Sequence, residues 1–116
     1  MTVREILKSI HDEVLASEDL LPDRAAELLA KLAALYGNCL DEVRTVEMAY
    51  NAVLLARYNS EKTANRAKVV AQADPSFLRL REAQDAVKLC LELIRATKYF
   101  LKEKGNELQT SSFQHG

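Results

Sequence analysis

Apolar positions recur along this chain at the three- and four-residue intervals of an amphipathic helix, in stretches separated by short polar or proline-containing connections. Val3, Ile6, Leu7, Ile10 and Val14 make the first stretch. Thr2 and Glu5 have the reciprocal spacing of a capping box, so a helix is expected to begin after Thr2 and end near Ser17. Glu18-Asp19-Leu20-Leu21-Pro22-Asp23 reads as a connection whose proline suits the first turn of the next helix, with Asp23 and Glu27 favouring its positive end. From there Leu28, Leu32, Leu35, Cys39, Val43, Val46, Tyr50 and Val53 keep one phase past Gly37-Asn38. The unbroken phase predicts one helix from 22 to about 57, roughly 54 Å long at 1.5 Å per residue. A turn at Gly37-Asn38 is the alternative, because that dipeptide is a strong turn signal.

Asn59-Ser60 offers a cap or turn, unless the preceding helix runs on through it. Ala64, Ala67, Val70 and Ala71 then give a weak apolar face, with Lys62, Arg66 and Lys68 on the polar side. At Asp74-Pro75 the signal is clearer, since an aspartate cap followed by proline starts a helix well and proline is poorly tolerated inside one. The last helix is expected from 75 to about 104. Gly105-Asn106 would supply a left-handed stop, leaving 105–116, rich in serine, glutamine and threonine, as a flexible tail.

Two parallel rows mark that last helix. Leu80, Val87, Ile94 and Leu101, with Ala83, Cys90 and Thr97, form a coiled-coil-like packing seam widened by Ala86, Leu93 and Phe100. Beside it run Arg81, Lys88, Arg95 and Lys102, together with Lys98. Arg81 and Asp85, and Lys88 and Glu92, are four residues apart and are expected to pair at the surface, a contribution of about 0.3 kcal/mol each. Arg95, Lys98 and Lys102 have no acid four residues on, and Tyr99 lies beside them.

Composition agrees with the periodicity: three glycines, two prolines and many strong helix formers in 116 residues imply one all-α domain over 1–104. Aromatic residues are only 6% of the chain, which favours thin leucine and alanine seams over a thick core. The expected architecture is an elongated antiparallel hairpin or bundle of 22–57 and 75–104 with a short N-terminal helix, forming a homo-oligomer through leftover apolar faces. The net charge of −1 conceals an asymmetry, because residues 1–54 hold five basic and ten acidic side chains and residues 55–116 hold eleven and seven. Opposite-sign halves suit self-association or an acidic partner for the second half.

Candidate chemistry is sparse. Cys39 and Cys90 fall on apolar faces and are expected as buried, reduced thiols, and His11 and His115 lie near opposite ends, so neither a metal nor a cofactor is predicted. No Gly-rich phosphate loop, nucleophile with a histidine base or zinc-protease spacing occurs, which argues against an enzyme. With no signal-peptide core and no apolar run near 18 residues, a cytoplasmic protein without membrane contact is expected. The cations admit two readings. Those near the end of the last helix would complement its dipole. Alternatively, Arg95, Lys98 and Lys102, joined by Arg57, Lys62, Arg66 and Lys68, would track a phosphate backbone, with Tyr99 or Tyr58 stacking on a base.

The order of features over about residues 30–104 resembles the phage UvsY-type recombination mediators. The likeness is carried by Leu35-Tyr36, Leu40, Glu47 and Ala56-Arg57-Tyr58 on a long helix, a break at Ala73-Asp74, then Leu89-Cys90-Leu91, Ile94-Arg95 and Tyr99-Phe100-Leu101-Lys102. The resemblance implies a ring-like oligomer that binds single-stranded DNA and helps a recombinase displace a single-strand-binding protein. It would place DNA contacts on the basic residues between Arg57 and Lys68. The rival expectation is a helical adaptor or inhibitor that binds protein alone.

Overall fold

Four helices and no strand occur among the described residues, so the class is all-α: α1 (Val3–Ala16), α2 (Pro22–Ser60), α3 (Ala64–Gln72) and α4 (Pro75–His115). The computed structural model describes residues 2–16 and 20–115, with side chains over 2–15 and 20–105.

Each helix start follows from a local donor problem, since the first N–H groups of a helix have no partner within it. At α1 the Thr2 hydroxyl accepts from the Glu5 N–H at 3.2 Å, and the Thr2 carbonyl from Ile6 at 3.0 Å. The stop near Ser17, with Glu18 and Asp19, lies outside the described residues. Pro22 opens α2 as expected, and the Leu21 carbonyl takes the Ala25 N–H at 2.9 Å. At α4 the Asp74 carboxylate accepts from the Ser76 N–H at 2.9 Å, and the Asp74 carbonyl from Phe77 at 3.0 Å.

α2 passes Gly37-Asn38 without a break, which rules out the turn there, and Gly37 does not adopt a positive φ. A helical glycine costs only about 1 kcal/mol relative to alanine. Full burial of one leucine contributes about 1.5–3 kcal/mol, so the shared apolar phase on both sides outweighs that cost. α2 also continues through Asn59 to Ser60. There the Arg57 carbonyl accepts from the Glu61 N–H at 2.8 Å and the Ser60 hydroxyl at 3.4 Å, which satisfies one of the terminal carbonyls. The cap of α3 is therefore Thr63 and not Asn59 or Ser60: its backbone is extended and its hydroxyl accepts from the Arg66 N–H at 3.1 Å.

The other end of α4 departs from expectation. The helix continues past Gly105-Asn106 to His115 where a left-handed stop and a tail over 105–116 were predicted. Glycine permits a positive φ without imposing one; Gly105 remains helical, and glutamate, leucine and glutamine, all good helix formers, follow it.

The helices contribute to two packed units, Met1–Tyr36 with Lys88–Gly116, and Gly37–Val87. In the first, α1 joins the opening segment of α2 and the later segment of α4. Its buried residues include Leu7, Ile10, Leu28, Leu32, Leu35, Cys90, Leu93 and Thr97. In the second, Val46 packs with Leu80 and Ala83, flanked by Val43 and Tyr50. Tyr50 meets Phe77 at a ring separation of 5.3 Å, so the α2 and α4 segments run antiparallel there. Ala67 and Ala71 put α3 into the same unit with no exposed surface of their own.

Of the row Leu80, Val87, Ile94 and Leu101, only Leu80 is buried; the other three are half-buried. The deeper row is Ala83, Cys90 and Thr97. At Cys90 the small side chain lets α4 lie close to α2, its thiol donating to the Leu32 carbonyl at 3.4 Å. The larger Val87, Ile94 and Leu101 form the shoulder of the seam.

Candidate nucleic-acid interface

The first unit positions Arg95, Lys98 and Lys102 by the same periodicity that buries its core. Successive α-helical residues turn by about 100°, so with Cys90, Leu93 and Thr97 buried, the three cations fall toward the opposite side of α4. All three are exposed, and Tyr99 beside them is 66% exposed. None takes part in an ion pair among the described residues. Arg95 and Lys102 are about 10 Å apart along the helix axis, room for two or three backbone phosphates. Lys102 lies thirteen residues before His115. A helix dipole acts on charges within the last turn, so it does not account for this cluster.

The other four candidates, Arg57, Lys62, Arg66 and Lys68, are exposed and belong to the second unit. The Arg66 guanidinium is bonded to the Glu61 carboxylate at 3.1 Å across the bend before α3. Arg57 lies in the field of Asp74, whose carboxyl is held below its ordinary range chiefly by the Ser76 N–H and further by Arg57 and Arg79. The seven cations thus belong to two units, and Arg57 and Arg66 of the second have acids near them.

Neither ion pair expected on α4 forms: Arg81–Asp85 and Lys88–Glu92 are absent from the described contacts. Arg81 turns toward the preceding turn, with its guanidinium 5.7 Å from the centre of the Phe77 ring. That arrangement is worth about 0.5–1 kcal/mol at an exposed site, more than a surface ion pair four residues apart.

A two-pronged ion pair joins residues whose relation the spacing did not suggest. Arg24 of α2 grips Glu13 of α1 through both carboxylate oxygens, at 2.6 and 3.0 Å, and also reaches Glu27 at 3.1 Å. Glu13 is held below its ordinary pKa first by the Arg24 hydrogen bond, and Arg24 is pushed upward by the same bond. This contact ties α1 to α2 and is remote in sequence from the candidate cations. Among the described residues no three His, Cys, Asp or Glu side chains gather as a metal site, and no helix is long and apolar enough to cross a membrane.

Comparison of the chain with family models, curated proteins and solved structures yields no match.

Proposed function

We propose that this protein is a non-enzymatic accessory factor that binds single-stranded nucleic acid without sequence preference through Arg95, Lys98 and Lys102, in support of phage-type recombination or replication. The supporting observation is the placement of these cations: exposed, aligned, outside any described ion pair and well inside α4. Tyr99 offers an aromatic face beside them for a base to stack on. A recombinase or a single-strand-binding protein would be the protein partner in such a role.

The test is fluorescence anisotropy with a labelled oligonucleotide. Three phosphate contacts imply a slope near −2 in log K against log salt, so affinity should fall about twentyfold between roughly 50 and 200 mM salt. Replacing Arg95, Lys98 and Lys102 by alanine should abolish binding while helicity is retained. Absence of binding at low salt would sink the reading.

A second reading, a protein-binding adaptor or inhibitor, is favoured by a different observation. Met48 and Leu55 on α2 are 74% and 62% exposed and one seven-residue step apart. If the oligonucleotide fails to bind, this surface is the one to follow.

A further inference from the structure

The first unit carries one more cation on the same side of α4. Lys88 is exposed and belongs to that unit with Arg95, Lys98 and Lys102. Seven helical residues turn by about 700°, roughly 20° short of two full turns, so Lys88, Arg95 and Lys102 stand almost in line along the helix. Glu92, the acid expected to occupy Lys88, is exposed four residues on, yet no bond joins them, and Lys88 enters no ion pair among the described residues. Arg81 continues the row in sequence alone: it belongs to the other unit, and its guanidinium lies 5.7 Å from the centre of the Phe77 ring.

From Lys88 to Lys102 the helix axis rises about 21 Å, twice the span from Arg95 to Lys102. On the nucleic-acid reading above, we propose that Lys88 is a fourth phosphate contact, that the track on α4 begins there, and that its ligand is an extended single strand of about five nucleotides, with a phosphate for each cation. A lysine suits the place. Its ammonium is a point charge on a flexible stem, which meets a phosphate without fixing its orientation, as binding without sequence preference requires. Glu92 remains near, but a pair between exposed side chains contributes little, so a phosphate displaces it from the ammonium. The track stops short of Arg81, whose guanidinium already lies over an aromatic face.

The test is anisotropy of labelled oligothymidylates of graded length with the full chain over a salt series. Four contacts give a slope near −3 in log K against log salt, where three give one near −2. Lys88→Gln should return the slope to near −2 and weaken oligothymidylate and oligoadenylate alike, and Lys88→Arg should restore it. Arg81→Gln should leave it unchanged. At low salt the affinity of the wild-type chain should climb with length to about five nucleotides, and that of Lys88→Gln should level off at about three. Circular dichroism should show helicity unchanged, since both positions are exposed. If no oligonucleotide binds the wild-type chain at low salt, the nucleic-acid reading itself falls and Lys88 with it. If one binds but Lys88→Gln keeps the wild-type slope and length dependence, or Arg81→Gln lowers the slope as much, the nucleic-acid reading stands and a track beginning at Lys88 is overturned.

Discussion

Gly37 has nothing within 4 Å of where a Cβ would sit, and its backbone is helical. Gly37→Ala is therefore expected to stabilise the protein by about 1 kcal/mol, read as an increase in urea midpoint at constant slope. A buried hydroxyl on α4 carries a further prediction. Thr97 is fully buried and donates to the Leu93 carbonyl at 2.7 Å, so Thr97→Ala should lose about 1–2 kcal/mol through the bond and the vacated methyl space. The acid response follows from Glu13 and Asp74, both of whose carboxyl pKa values are depressed in the folded chain. Groups lowered in this way contribute stability above their unfolded values and lose it as pH falls through the folded ones. Thermal stability should decline below about pH 4.5, the ordinary value for Glu13, and Glu13→Gln should flatten part of that decline.

At the scale of the element, α3 is the helix most dependent on its ends, with nine residues and two buried alanines. Thr63→Ala removes the hydroxyl that accepts from Arg66 and should cost about 1 kcal/mol, seen in circular dichroism as early loss of helicity on heating. The elements differ in how openly the sequence declares them. α2 is legible because eight apolar positions hold one phase from Leu28 to Val53, a constraint that a single turn-prone dipeptide does not reset. Asp74-Pro75 is legible because cap and ring restrict the backbone to one arrangement. The cap of α3 is not, since Asn59, Ser60 and Thr63 are all competent and the choice depends on which carbonyls the Arg57 turn satisfies. The exposure of Arg95, Lys98 and Lys102 follows from the phase of α4. Arg66 meeting Glu61 across a bend, and Arg81 preferring Phe77, depend on side-chain geometry that spacing alone does not contain. Met48 and Leu55 did carry a signal: their spacing is helical but out of phase with the core row, which marks a second apolar face.

For the whole molecule, the two thiols report on both units. Cys39 is 2% exposed in one and Cys90 fully buried in the other, so maleimide should label neither quickly until urea unfolds the chain, when both should react. The same division has a consequence for synthesis. Gly37–Val87 is one uninterrupted run, whereas the first unit is assembled from pieces on either side of it, closed by contacts such as Cys90 to Leu32, 58 residues apart. The second unit therefore has all its parts first. As the chain leaves the ribosome, Leu7, Leu28 and Leu32 wait while those fifty-one residues are made, roughly 3 to 10 seconds at ordinary elongation rates. In refolding, the greater entropy of the longer closure should defer the first unit. Val46→Ala should then mainly slow folding and Cys90→Ala mainly hasten unfolding, a contrast that the two arms of a chevron plot would resolve. Until the later part of α4 is made, the leucines of the first unit are without the partners there that help bury them in the fold.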